Sequence, residues 1–431
     1  MDDIITVTVD SLRADHCGWQ SDLDITPNLS ELAAESLAFT SAISPGPRTL
    51  SSVPVTHTGV PFAVTNHDTS KYGERVARIR NHIREFETVS EAMQEEGYTT
   101  LAFTANPWTS VDNEFDTGFD QFHEVGRTGG SVERVFRGTP LERVARAFDH
   151  WFYSDSWFCT WRSFYDEAIE AIESVDGPVF TWIFLLDTHN PYLVPKQDRE
   201  ETSTFEMYSA TVRANDPLNR TEGKSHYKTS LNEGTLRSLR KAYRDGVRSV
   251  DAFIGRLRSD IDEETVLLVH SDHGESFGEH GTYGHQPVLY EENVHVPLLL
   301  YDGEVEGTVD DVVSTVVIPD MVLSHARGEE VDHTDWTTEY AVSRTESDSA
   351  ITIRGDRWKY IRGTDGVELY DLSRDPGETT DRSEEESDVV SEFERRREEY
   401  LESLPAPPSA TGSIESEGMR DHLQSLGYLQ E

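Results

Sequence analysis

The chain has 431 residues, with 81 acidic against 38 basic side chains and a formal net charge of −43. So acidic a surface repels nucleic acid and anionic bilayers, so neither is expected as its main partner. Two cysteines, Cys17 and Cys159, exclude a disulfide framework and a thiolate metal cluster.

The acidic excess runs along the whole chain instead of forming a tail. It reads as the solvation of a halophilic protein and predicts a fold that depends on high salt. No stretch reaches the length of a membrane span. The N-terminus has no basic segment followed by an apolar core, so no signal peptide is read there and a cytoplasmic location is expected. Residues 3–9 are instead a β-branched run that predicts a central strand. It ends at Asp10-Ser11-Leu12-Arg13, which sets a carboxylate at the carboxyl end of a first strand. Thr26-Pro27-Asn28 predicts a helix start, with Thr26 as cap and Leu29, Leu32, Ala33 and Leu37 as the apolar face.

Residues 44–59 are rich in hydroxyls and turn formers and contain Arg48. A hydroxyl at a helix start beside a cation is the arrangement that activates a nucleophile. Residues 125–175 and 196–235 read as surface insertions. Trp151, Trp157, Trp161 and Tyr165 have helical spacing, which favours core packing over a sugar or lipid pocket. Leu236–Leu257 predicts an amphipathic helix. Thr265–Val269 is a second β-branched strand, and it breaks into Ser271-Asp272-His273-Gly274-Glu275. Asp272 and His273 then lie at a sheet's carboxyl edge, where open α/β sheets bind ligands. An adjacent carboxylate and imidazole supply half of a metal site. His280 and His285 follow in a Gly-rich loop, and Val296–Leu300 reads as another strand. Short alternating runs over 337–372 predict a small antiparallel sheet. A charged helix is expected over 384–404, a Pro/Ser linker over 405–413 and a short helix over 419–429.

The pieces VDSLRADH, TPNLSELAAESLAFTSAIS, TVSEAMQEEGYTTLAFTANP, TGFDQF, FLLDTHNPY, SDHGESFGEHGTYGH, LYEENVHVPLLL, RWKYIRG and ELYDLSRDPGETTD occur in one order from residue 3 to about 380. In that order the chain resembles the sulfatase family of the alkaline-phosphatase superfamily. The resemblance implies an α/β fold with a mainly parallel central sheet flanked by helices and a small C-terminal antiparallel sheet. It divides the chain into a catalytic domain over 1–305, a small subdomain over 306–404 and a linker with a helical tail over 405–431.

Carried over residue by residue, the resemblance makes Asp10 and Asp272 metal-binding aspartates. Ser11 stands where the family often has a second acid. His273 stands where many sulfatases have Asn and phosphoester-processing relatives often have His. His189 matches a histidine on the ester's oxygens, and His285 a Lys or His on the sulfate. The family's nucleophile is a Cys or Ser matured to formylglycine, in a C/S-x-P-x-R signature ten residues before the Gly of a closing Thr-Gly. Counting back from Gly59 reaches Thr49, with Ser51 and Val53 in place of the Pro and Arg.

Threonine has a methyl on its β-carbon and cannot become formylglycine. It is, however, the nucleophile in several phosphoester branches. The implied site is therefore a Thr49 hydroxyl on one divalent ion (Mn, Mg, Zn or Ca) held by Asp10, Asp272 and His273. Ser52 and a metal-bound water are the alternatives. His189 and His285 would contact the ester and protonate the leaving group. Arg13 and Arg48 would be additional anion contacts, or else members of structural ion pairs. Asp187, His189 and His285 would be the source of any second metal site; one metal is the expectation. The expected substrate is a small-molecule, glycan or lipid sulfate ester. A phosphoester hydrolase or transferase and a non-catalytic relative are the competing readings. The sequence assigns neither the alcohol nor an oligomeric state.

Overall fold

The computed structural model describes residues 1–64, 72–125, 159–214, 229–329 and 332–406. Its strands are β1 (Ile4–Val9), β2 (Leu37–Ile43), β3 (Thr99–Thr104), β4 (Gln121–Glu124), β5 (Val179–Leu185), β6 (Val266–Ser271), β7 (Ser276–Phe277), β8 (Tyr283–Gly284), β9 (His295–Tyr301), β10 (Gly307–Val309) and β11 (Val313–Ser314). The large sheet runs β10-β2-β9-β6-β1-β5-β3-β4, with β11 also on β2. Its pairs are parallel except where β9 meets β2 and β6. Strand β1 is buried along its whole length, as its unbroken β-branched run requires.

The described helices are α1 (Pro27–Ala34), α2 (Thr49–Thr58), α3 (Tyr72–Glu85), α4 (Val89–Glu95), α5 (Tyr165–Glu173), α6 (Thr204–Ala214), α7 (Glu233–Asp260), α8 (Glu291–Val294), α9 (Ile318–Ala326) and α10 (Ser387–Ser403). Strand residues of alternate parity feed separate cores on the two faces. Ile5, Val7 and Val9 join Leu239, Tyr243 and Phe253 of α7. Ile4, Phe39 and Leu298 join Met321 and Trp336. No described helix is long and apolar enough to cross a membrane.

The register fixes the site. Val9 pairs with Leu185 on one side and Ser271 on the other, so three strands end flush. Asp10, the turn carrying His189 and the Asp272-His273 pair therefore meet at one edge.

Several local expectations are corrected. Helix α7 starts three residues before Leu236 because Asn232 caps it, accepting from Thr235 N at 3.0 Å. Thr26 occupies the cap position of α1, but its hydroxyl accepts from Gly18 N at 2.7 Å. The first turn is capped instead by Asp251 of α7, which accepts from Leu29 N at 2.8 Å. Trp161 and Tyr165 pack edge-on against Phe253, so one face of residues 159–175 joins the core while Asp166, Glu167, Glu170 and Glu173 stay exposed on the other. Met207 and Ala210 of α6 join the same core. Trp151 and Trp157 lie outside the described residues, as do residues 407–431 with the expected terminal helix.

The large sheet continues past residue 305 through β10 and β11. The antiparallel sheet is β12 (Ala341–Arg344), β13 (Ile351–Arg354), β14 (Trp358–Gly363) and β15 (Gly366–Asp371). Phe393 of α10 stacks on Tyr360 beneath it. One buried charge cluster ties this sheet to the large one. Lys359 Nζ lies 2.9 Å from Glu291 Oε1 and 2.9 Å from Glu378 Oε1. Lys359→Met strands the buried Glu378 carboxylate, while half-buried Glu291 keeps Arg354 at 3.7 Å, and is expected to cost about 3 kcal/mol. Urea unfolding checks this; a loss no larger than that of an exposed lysine would contradict it.

Candidate active site

Asp10, Asp272 and His273 are fully buried, and one donor atom from each converges on a common point. His273 Nδ1 donates to Gly274 O at 2.8 Å. Its Nε2 therefore presents a lone pair, 3.6 Å from Asp10 Oδ1 and 3.5 Å from Asp272 Oδ2. Asp272 Oδ1 accepts from Ser11 N at 3.1 Å and His273 N at 2.9 Å. Asp272 Oδ2 is buried with no hydrogen-bond partner among the described residues. Burial first, and then the neighbouring Asp10 charge, raise the Asp272 carboxyl well above its ordinary range.

An orphaned carboxylate oxygen, a second carboxylate and an imidazole lone pair form a donor set for a hard or borderline divalent cation. Their spacing fits ligands about 2.1 Å from one ion, which stand roughly 3–3.4 Å apart. The residues present fit the metal that the resemblance implies.

Local chain chemistry builds this corner. Gly274 lies against the neighbouring backbone, where a Cβ would fall 2.1 Å from Glu292 O. Ser11 turns the chain after β1 with a left-handed φ of +64°. Its hydroxyl donates to Asp10 Oδ1 at 2.8 Å, so it braces a ligand where the family often supplies a further acid.

Thr49 is the first residue of α2 and is buried. Its Oγ1 lies 3.5 Å from Asp10 Oδ2 and 3.5 Å from His273 Nε2. Pro45-Gly46-Pro47 keeps the chain out of helix until Arg48, whose extended φ of −151° makes it the N-cap. Anionic oxygen at Thr49 would lie at the positive end of the α2 dipole. Ser52 Oγ is buried and makes no hydrogen bond to a described residue.

Two further residues join the site. Asn106, past the end of β3, donates from Nδ2 to Asp10 Oδ2 at 2.7 Å, and Nδ2 is 3.4 Å from Thr49 Oγ1. Trp108 N donates to Asn106 Oδ1 at 2.9 Å, which fixes the amide orientation. Its signal was a polar side chain ending a buried strand, the same as for Asp10 and Asp272. Asn106→Ala is expected to lower turnover or metal affinity about 10–100-fold; kinetics titrated with metal would expose an unchanged variant. The second, Glu275, is buried, with Oε1 3.3 Å from His285 Nδ1 and Oε2 accepting from Tyr192 OH at 2.9 Å. Burial pushes its carboxyl up to about 7.

His189 and His285 face each other with ring centroids 5.1 Å apart, and His285 is 5.2 Å from the His273 ring. Burial lowers His189 to about 4 and His285 to about 3. Both imidazoles are therefore neutral at pH 7 in the free protein. Asp187 points elsewhere, accepting from Ser249 Oγ at 2.8 Å and Trp161 N at 3.2 Å. No second metal cluster forms around it among the described residues. Arg13 is held in ion pairs with Asp15 and Glu279 and donates to Glu275 O. Arg48 donates from Nε to His285 O at 2.7 Å and from Nη1 to Glu346 Oε1 at 2.8 Å.

Known proteins are similar to this chain along much of its length. The family model described as Sulfatase matches residues 2–336. Arylsulfatase K of Mus musculus is 26% identical over 217 residues, covering 42% of this chain and 38% of that protein. The chain thus spans about two fifths of the first curated relatives it matches. An Arylsulfatase of Clostridium perfringens is 23% identical, covering 93% of this chain and 96% of its own. Among solved structures, a 2-O GAG sulfatase aligns with a TM-score of 0.65 at 16% identity, over 97% of this chain and 99% of that one. Phosphonate monoester hydrolase of Agrobacterium radiobacter aligns with a TM-score of 0.64 at 18% identity, over 94% and 96%. These last two likenesses concern the fold.

Proposed function

Because this chain belongs to the sulfatase family, we propose that it hydrolyses sulfate esters with the Thr49 hydroxyl as nucleophile in place of formylglycine. The observation that carries this reading is the Thr49 Oγ1 at a helix N-terminus, 3.5 Å from both Asp10 and His273. Asp10, Asp272 and His273 would hold one divalent cation, Mg, Mn, Zn or Ca, which when bound lowers the pKa of a nearby hydroxyl and offsets charge on the ester.

The residues then divide the work. Thr49 Oγ1 gives up its proton to Asp10 Oδ2 as it attacks sulfur in line, and the bond from sulfur to the leaving alcohol's oxygen breaks. Asp10 Oδ2 faces the Thr49 hydroxyl proton. Asn106 Nδ2 steadies both groups. His189 and His285 lie beside the reacting oxygens. They are neutral in the free protein, and the negative charge of a bound ester is what brings one of them to the protonated form that releases a proton to the alkoxide. Water then attacks the sulfur of the Thr49 ester and frees sulfate, restoring the hydroxyl. Arg48, one residue from Thr49, is bound to Glu346 and to the His285 carbonyl, so its role is to hold the loop that carries His285 against the start of α2.

Thr49 together with His273 favours a second reading, a phosphoester hydrolase or transferase with the same residues in the same roles. Steady-state rates on p-nitrophenyl sulfate, p-nitrophenyl phosphate and bis-p-nitrophenyl phosphate, each with Mg, Mn, Ca and Zn, separate the two. Dominant sulfate turnover supports the first reading. Dominant phosphoester turnover replaces it with the second, and silence on all three substrates with every metal rejects both.

A further inference from the structure

The hairpin that follows the Asp272-His273 pair sets two side chains against each other. Strands β7 and β8 are antiparallel, with Ser276 opposite Gly284 and Phe277 opposite Tyr283. The next pair outward is Glu275 and His285, and residues directly opposed in an antiparallel pair project on one face. Glu275 Oε1 accordingly lies 3.3 Å from His285 Nδ1.

Glu275 is held from two sides. Arg13 Nη1 donates to its backbone carbonyl at 3.0 Å. Tyr192 OH donates to Oε2 at 2.9 Å, and the Tyr192 ring packs against Tyr243 and Phe277. Oε1 differs: it is buried and accepts no well-aligned hydrogen bond from a described residue. A buried carboxylate oxygen without a donor is costly. The imidazole nitrogen 3.3 Å away supplies that donor after a small ring rotation; catalytic hydrogen bonds are often long until substrate binds. The backbone of His285 is already fixed, since Arg48 Nε donates to its carbonyl at 2.7 Å. Holding Nδ1 on Glu275 turns Nε2 to the opposite side of the ring.

We propose that Glu275, braced by Tyr192, is a positioning residue that holds His285 Nδ1 so that Nε2 carries the proton to the leaving alcohol. In the first step Nε2–H passes its proton to the departing oxygen as the bond from sulfur breaks, while Nδ1–H stays on Glu275. In the second step the attacking water gives a proton to Nε2 and its oxygen to sulfur, and Asp10 returns its proton to the Thr49 oxygen. His189 then serves the ester's other oxygens. The inference rests on the ester-hydrolase reading and assigns within it which histidine moves the proton.

The test compares wild type, Glu275→Gln, Tyr192→Phe, His285→Gln and the double variant Glu275→Gln/His285→Gln on phenyl and p-nitrophenyl sulfate, or on the matching phosphates if those are preferred. Phenolate needs a proton to depart far more than p-nitrophenolate does. Glu275→Gln is expected to lower kcat about a hundredfold on the phenyl ester and about tenfold on the p-nitrophenyl ester, with KM changing less. Tyr192→Phe is expected to lose about tenfold on the phenyl ester. The double variant should match His285→Gln alone, because a group that acts through His285 then has nothing to position. Equal losses on the two esters, or losses that multiply in the double variant, overturn the proposal and leave the hydrolase reading intact. Ring-nitrogen NMR of histidine-labelled protein at one pH gives a readout independent of turnover, with His285 assigned by the signals missing from His285→Gln. Glu275→Gln is expected to shift the His285 Nδ1 resonance; unchanged His285 signals in a chain of unaltered circular dichroism overturn the positioning. Silence of wild type on every ester rejects the hydrolase reading and the proton step with it, and a His285 resonance that still depends on Glu275 leaves the positioning standing.

Discussion

Thr49→Ala is expected to lower ester turnover at least about a thousandfold, the scale seen when a covalent nucleophile is removed. The structure explains why this would be a loss of chemistry and not of fold. The Oγ1 contacts to Asp10, His273 and Asn106 are long, 3.4–3.5 Å, so little native stability hangs on them. Losing them should cost no more than about 1 kcal/mol. Thr49→Ser retains the hydroxyl at the first position of α2 and is expected to keep most of the rate. Rates of the three proteins on the preferred ester, beside their thermal melts, check this. Full activity in Thr49→Ala with an unchanged melt would remove Thr49 as nucleophile and turn attention to Ser52 or water.

The second large effect is expected at Asp272. In the metal-free protein its carboxyl is held above its ordinary range by burial and by Asp10. The native state therefore keeps a proton that the unfolded chain, titrating near about 3.9, has already released. The contribution of Asp272 to stability without metal should then fall as pH rises from about 4 through the raised value, because at this group the native state binds more protons over that window. A divalent cation should reverse the loss, adding about 2.7 kcal/mol at a concentration one hundred times its dissociation constant. Asp272→Asn preserves the oxygen that accepts from Ser11 N and His273 N while removing the repulsion. Its melting temperature is expected to be higher than wild type in EDTA, insensitive to added metal, and accompanied by lost turnover. Melts in EDTA and in added Mg or Mn would expose the error if both proteins gained equally from the ion.

What the sequence made legible follows from locality. The runs 3–9 and 265–269 read as strands because nothing interrupts their β-branched residues, and the charged residue ending each run marks the sheet edge. Thr49 was reached only by counting back from Gly59 along the family resemblance, because the many hydroxyls of residues 44–59 do not single one out. The register was not legible, because Val9 finds Leu185 and Ser271 across 176 and 262 residues. Asn106 escaped notice because Asn-Pro reads as a turn, and its target Asp10 is 96 residues away. The Asp251 cap on α1 is hidden in the same way, 222 residues from Leu29. Ser11 looked like a missing ligand; its left-handed φ and its bond to Asp10 belong to the folded loop alone. Arg13 read either as an anion contact or as a structural ion pair, and the fold decides for the second by bringing Asp15 and Glu279 to it.

The most direct test of the Thr49 assignment is to quench the wild-type chain in acid during turnover of the preferred ester and map its peptides by mass spectrometry. The account predicts one added sulfonyl (SO₃) or phosphoryl group on the peptide carrying Thr49, localised to that residue and absent without substrate. Steady turnover with the transferred group on Ser52, or a pre-steady-state burst with no adduct on Thr49, would contradict it.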